Sequence, residues 1–213
     1  VNPLVDLWGF GRGGSKNKIP LENEISALLS NIGFKNIEIQ ETGYLLKKRA
    51  AVTLDLSSIA KGYGVDQVAD TIRKEGFQNY LVEIGGEVFA SGTSKNGKFW
   101  RIGINRPQTD AAFDDVYKVV DLHNKAFATS GDYRNFFVVD GVRYSHIIDP
   151  RTLRPASTPV LSASAGAATA VEAEAAVEVP LAEIDGLVRS GVRHWRVVRR
   201  YHLRHGERRY EET

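Results

Sequence analysis

The sequence predicts an α+β fold with mixed or antiparallel sheets and packed helices, and three observations carry that prediction. Two amphipathic helix patterns stand apart, at 21–33 and 58–75, with short strand patterns between and after them. The dipeptide Asp140-Gly141, favoured in type I′ turns, joins two apolar runs into a hairpin. No strand–helix–strand rhythm repeats along the chain, which argues against a parallel, doubly wound sheet.

The elements follow in order. Residues 5–14 are aromatic and glycine-rich, placing Trp8 and Phe10 in a loop that ends in a flexible Gly-Gly-Ser. Ile25, Leu28, Leu29 and Ile32 recur at helical spacing and Gly33 closes the helix. Ile37 and Ile39, then Tyr44 and Leu46, alternate around Thr42-Gly43 as a hairpin. Val52, Leu54 and Leu56 alternate as a short strand that runs into a Ser57-Ser58 cap. The helix that follows buries Val65, Val68, Ala69 and Ile72 and stops at Gly76. Strands are expected at 81–84, 87–91, 99–104, 117–122 and 126–129, and the hairpin pairs 136–139 with 142–148.

Beyond Val160 the composition changes. Ala and Glu dominate 163–178, and Pro180 should end a helix that begins near Ala168. The chain from 189 onward is rich in Arg and holds no Lys, whereas every Lys lies at or before Lys125. Trp195, Tyr201 and Tyr210 interleave with those arginines. The segment reads as a solvated basic stretch or a strand pair around Val197-Val198 in preference to a nucleic-acid patch.

With 213 residues and 42% hydrophobic content, the chain can bury a core as one large domain or two small ones. A net charge of +2 points to no anionic polymer partner. The absence of Cys excludes disulfides, thiolate catalysis and cysteine-based metal sites. Met is also absent, and the opening Val1-Asn2-Pro3-Leu4 reads as the start of a fragment. No segment approaches the roughly 20 consecutive apolar residues of a membrane span.

Chemistry concentrates in a few places. At Asp55–Asp66 a strand-to-helix junction aims amides and the positive end of a helix at one point, which suits a phosphate. Lys61 adds a mobile cation and Asp55 a carboxylate, although an ordinary capped helix shares the same spacing. Gly85-Gly86 ends a strand without Cβ atoms, so a ligand, or only a β-bulge, fits there. Thr129-Ser130-Gly131-Asp132-Tyr133-Arg134 gathers hydroxyls and charge in one turn, as phosphate sites and plain turns both do. His146, with Asp149 and Arg151 following in a Pro150 turn, suits a general base. Glu172, Glu174 and Glu178 lie on the expected 168–179 helix. The Glu174/Glu178 pair faces one side, either to clamp a hard cation or as part of a solvated Ala-Glu helix.

Taken in register, these motifs resemble the ApbE-like flavin transferases, the FAD:protein FMN transferases. The matching stretches are 3–11, 55–66, 81–87, 129–135 and 145–155, so the likeness spans about residues 3–158. It implies an ApbE-like, T-fold-related architecture lacking its N-terminal part, with a flavin-transferase core at 1–160. Residues 161–213 would then hold the metal-binding helix and a divergent Arg-rich tail. It also implies Mg2+-dependent transfer of FMN from FAD to a Thr or Ser hydroxyl of an acceptor flavoprotein, with release of AMP. The alternatives are an FAD pyrophosphatase giving FMN and AMP, or a non-catalytic FAD-binding protein.

By resemblance, Asp55 and Lys61 contact FAD, Gly85 and Gly86 line it, and the Ile148 backbone meets the flavin. His146 stands near the flavin or the transferred phosphate as the candidate catalytic base. The Ser58 carbonyl, Glu174 and Glu178 would be the metal ligands. Glu174 stands where the family has Asp, Glu178 where Thr or Ser is usual, and Gly64 where Ala is common. The resemblance further implies an extracytoplasmic, periplasmic or inner-membrane-anchored location, with membrane attachment only through an upstream lipid anchor, and no nucleic-acid partner.

Overall fold

The computed structural model describes residues 2–11, 18–108, 112, 115–157, 160–182, 195–202 and 208–212, by backbone alone from 178 onward. Along the chain run α1 (Asn2–Leu7), α2 (Glu22–Leu28), β1 (Ile37–Ile39), β2 (Leu45–Lys47), α3 (Ala60–Lys74), β3 (Tyr80–Ile84) and β4 (Glu87–Ser91). There follow β5 (Trp100–Asn105), β6 (Val116–Leu122), β7 (Lys125–Gly131), β8 (Phe136–Val139), β9 (Val142–Ser145), β10 (Ile148–Asp149) and β11 (Arg154–Pro155). The last elements are β12 (Val160–Ala167), α4 (Ala170–Ala182), β13 (Trp195–His202) and β14 (Arg208–Glu212). All described strand pairings are antiparallel, so the α+β class holds.

The chain divides into two compact units, one of residues 1–55 and 135–157, the other of 56–134 and 158–213. In the first unit Leu4, Trp8, Ile25, Ile32, Phe137 and Ile148 form the core. A fully buried side chain such as Leu4 contributes about 1.5–3 kcal/mol relative to an exposed one. Trp8 stacks on Tyr144 at 5.7 Å, and its indole N–H donates to the Leu153 carbonyl at 3.0 Å, so burying the ring strands no polar atom. Residues 5–7 of the expected 5–14 loop are instead the end of helix α1, which buries Leu4 and leads into the buried Trp8. The expected Gly-Gly-Ser stretch lies outside the described residues.

The β1–β2 hairpin and the Asp140-Gly141 hairpin form as expected, with positive φ of 50° at Asp140 and 76° at Gly141. The second hairpin ends at Ser145, three residues early, because Ile148 and Asp149 pair instead with Pro155 and Arg154. Residues 52–56 are not a strand. Val52 is buried, but Leu54 and Leu56 are exposed and the stretch joins no ladder among the described residues. Alternation without a partner does not make a strand.

The second unit is built on a six-stranded sheet of order β14-β13-β12-β7-β4-β3, with β5–β6 as a separate ribbon. Val88, Ala90, Ile104, Leu122 and Phe127 form a core cluster. Helix α3 packs on β3 and β4, and α4 on β12 and β7. On α3 the buried face is Gly62, Val65 and Ala69, while Val68 is exposed, which rotates the expected stripe toward the glycine. The reason is contact between helices. A Cβ on Gly62 would stand 2.5 Å from the Ala170 carbonyl oxygen, so only Gly permits this approach of α3 to α4.

Helix α4 is no solvated Ala-Glu helix: Ala170, Ala173, Glu174, Ala176 and Val177 are buried. It also continues through Pro180 to Ala182. Pro180 falls in the last turn, where the ring forfeits one backbone hydrogen bond and only two residues follow. Thr129, Ser130 and Gly131 belong to β7 and not to a turn, and the Thr129 hydroxyl meets the Ser164 hydroxyl at 2.7 Å. No helix among the described residues is long and apolar enough to cross a membrane.

Candidate functional site

In the second unit the site begins where α3 starts. Ile59, not Ser57 or Ser58, occupies the cap position and contributes no side-chain hydrogen bond. The cap comes from far away: the Gly62 amide donates to Glu174 Oε2 at 2.8 Å. The converse contact also exists. Asp66 of α3 accepts from the Ala170 and Val171 amides at the start of α4, at 2.7 and 3.0 Å. Thr169 and Glu172 complete that helix start as a capping box, the Glu172 amide donating to the Thr169 hydroxyl and the Thr169 amide to Glu172 Oε2. Its amides are thereby used up within the protein, so the start of α4 offers an incoming anion nothing.

Lys61 is the second residue of α3. Its ammonium stands 2.7 Å from Glu87 Oε2 and 3.6 Å from Glu174 Oε1. Both acid side chains are 2% exposed, whereas that of Lys61 is 45% exposed. The Lys61–Glu87 contact is an ion pair off the angle of a hydrogen bond, so Oε2 receives no directed donor. At this distance the Coulomb attraction holds regardless of alignment. Burial pushes the Glu87 carboxyl above its ordinary range; Lys61 opposes the shift and the neighbouring Glu174 reinforces it.

The stem of Lys61 passes over the β3–β4 turn. Gly85 and Gly86 have φ of 57° and 101°, the two positive values of a type I′ turn, and Ile84 pairs with Glu87 across it. A Cβ on Gly85 would come within 3.3 Å of Lys61 Cδ. The turn is thus a hairpin corner that makes room for Lys61, and not a bulge.

In the first unit His146 follows β9, half-buried. Its backbone amide donates to the Asn135 carbonyl at 3.1 Å, and Nδ1 lies 3.2 Å from that same oxygen. A carbonyl only accepts, so Nδ1 carries a proton and Nε2 is the ring's second nitrogen, the one a neutral ring would use as a base. Asp149 is committed elsewhere. Arg151 donates to it from its backbone amide at 2.8 Å, from Nε at 3.1 Å and from Nη2 at 3.0 Å. The Arg151 side chain therefore holds the Asp149 carboxyl below its ordinary range, helped by that amide.

Of the residues expected from sequence, Lys61, Gly85 and Glu174 meet in the second unit, with Gly86 in the same turn and Ser58 exposed ahead of α3. Asp55, exposed, and His146 and Ile148 belong to the first unit, where Ile148 is a buried core residue. Glu178 lies one helical turn beyond Glu174 on α4. Sequence reasoning assigned no role to Glu87 or Asp66. An acid directly after a Gly-Gly turn was the available signal for Glu87, and that signal alone does not mark a buried position.

An antiparallel α+β protein with a buried acid-and-lysine cluster at a helix start is the class that fold and site define. The chain belongs to the ApbE family, whose family model matches residues 1–180. That match reaches past the motifs at 3–158 and takes in most of α4. A Vibrio cholerae protein named FAD:protein FMN transferase is 46% identical over 162 residues, covering 76% of this chain and 48% of that protein. An Escherichia coli protein of the same name is 38% identical over 178 residues, covering 82% of this chain and 50% of that protein. The solved structure of the flavin transferase ApbE from Vibrio cholerae matches with a TM-score of 0.81 at 35% identity, covering 99% of this chain and 66% of that one. The chain spans about half the length of the curated relatives it matches.

Proposed function

We propose that this chain carries out protein flavinylation: transfer of FMN from FAD to a Thr or Ser hydroxyl of an acceptor protein, with release of AMP. The observation that carries the reading is the Lys61 ammonium, held over a Gly-Gly turn by buried acids at the start of α3. A cation anchored on one side and open to water on the other suits the diphosphate of FAD. The relatives named FAD:protein FMN transferase supply the flavin and the protein acceptor.

The acid cluster suits a Mg2+ ion. Glu174 is a buried hard-oxygen donor, and a cation is already drawn toward its Oε1 at 3.6 Å. Glu174, the Ser58 carbonyl and Glu178 would hold the ion. When bound, Mg2+ polarises phosphoryl oxygens and offsets the charge that builds on them. Lys61 binds the diphosphate and stabilises the same charge. The acceptor hydroxyl oxygen attacks the phosphorus of the FMN half, a base takes its proton, and the bond to AMP breaks. Gly85 and Gly86 line FAD beside Lys61, while the roles of His146 as base and of Asp55 and the Ile148 backbone as FAD contacts rest on the family resemblance alone.

The test incubates the purified chain with FAD, Mg2+ and an acceptor bearing a Thr-containing flavinylation motif. In-gel flavin fluorescence of the acceptor, lost on adding a chelator, is the expected result. AMP release without labelling would replace the reading with FAD hydrolysis. Retained FAD with neither product would leave a binding protein.

A further inference from the structure

Glu87 has no part in the chemistry above, yet it is the nearest charged group to Lys61. Three features of the β3–β4 corner converge on that contact. The turn sets Glu87 opposite Ile84 as the first residue of β4, with its side chain 2% exposed. Gly85 lacks the Cβ that would press on Lys61 Cδ. Glu87 Oε2 stands 2.7 Å from Nζ with no directed donor of its own.

Stability alone does not explain the arrangement, because a buried ion pair adds little over apolar side chains of similar size. Here one ammonium serves two buried acids, and its other face is open to water. Without Glu87, the flexible four-carbon stem of Lys61 would leave the ammonium free to sample many rotamers.

We propose that Glu87 is a positioning residue, whose buried carboxylate holds the Lys61 ammonium by charge over the Gly85-Gly86 turn, with the N–H donors on its exposed side turned to a diphosphate. The identity of that diphosphate as FAD rests on the flavin-transfer reading; the hold on Lys61 does not.

Two measurements on the full chain test the assignment. FAD affinity is read by flavin fluorescence in the wild type, Lys61→Met, Glu87→Gln and the double variant, each checked for folding by its thermal midpoint. Lys61→Met should weaken FAD by about tenfold and Glu87→Gln by about threefold, with the double variant no weaker than Lys61→Met. Unchanged affinity in Glu87→Gln, or losses that multiply in the double variant, would overturn the proposal. A purely structural Glu87 would weaken binding equally with or without Lys61. The second measurement needs no ligand: NMR relaxation of the Lys61 Cε methylene, assigned through Lys61→Arg. That group should be rigid in the wild type and mobile in Glu87→Gln, and equal mobility would overturn the proposal. Should the wild type not bind FAD at all, the flavin reading fails, and the relaxation result still decides the role of Glu87.

Discussion

Asp149 in one unit and Glu87 in the other are both buried acids beside a cation, and they are satisfied in opposite ways. Asp149 receives three hydrogen bonds from Arg151, and its carboxyl is held low. Glu87 shares one lysine with a second buried acid, lacks a directed donor, and has its carboxyl pushed up by burial. The first arrangement closes on itself within the Pro150 turn, each acid oxygen facing a donor of Arg151. The second carries more acid than base in a dry setting, so an incoming cation improves it and its lysine can serve an incoming anion. Completeness marks the structural pair, and deficit marks the candidate site.

The largest break in that contrast should come from Glu174→Ala, which removes the surplus charge. Mg2+-dependent turnover of FAD should disappear while some FAD binding remains, and undiminished turnover would take Glu174 out of the metal role. Gly62→Ala comes next. Its methyl would meet the Ala170 carbonyl, and overpacking of this kind costs about 1–3 kcal/mol, read as a lower urea midpoint.

The smallest effect sharpens the comparison through pH. The Asp149 carboxyl is held below its unfolded value, so its stabilisation is present above the ordinary carboxylate range and is lost as the pH falls through the folded value. Asp149→Asn should cost about 1 kcal/mol at neutral pH, with the gap to wild type closing as the pH falls below the ordinary carboxylate range. Glu87, held above its unfolded value, runs the other way. Its contribution is full below the ordinary range and is lost as the pH rises through the folded value, so Glu87→Gln should gain on the wild type toward neutral pH. Parallel profiles for the two variants would contradict the contrast.

What the sequence made legible was whatever local chemistry decides. Asp140-Gly141 and Gly85-Gly86 specify turns by positive φ, Gly76 stops α3, and the alternation at 37–46 finds its partner within a few residues. The errors arose where a distant group overrides a local signal. Ser57-Ser58 looks like a cap, but the acceptor for Gly62 is Glu174. The expected 168–179 helix could pass for a solvated one because Ala carries no hydrophobic stripe, yet Ala is what close packing of α4 against β7 and β12 requires. Lys61 and Glu174, which stand 3.6 Å apart, were both singled out from the sequence. Glu87 was not, because an acid at a strand start reads as surface until the sheet register shows it facing inward.

The exchange of caps between α3 and α4 bears on the order of assembly. Asp66 reaches 104 residues along the chain to Ala170, and Glu174 reaches back 112 residues to Gly62. Contacts of such separation carry a large loop-closure cost and form late in folding. Neither helix start is finished until the strands between them have closed into the sheet. The Lys61 cluster therefore depends on contacts drawn from the whole length of the second unit, since Lys61, Glu87 and Glu174 come from α3, β4 and α4.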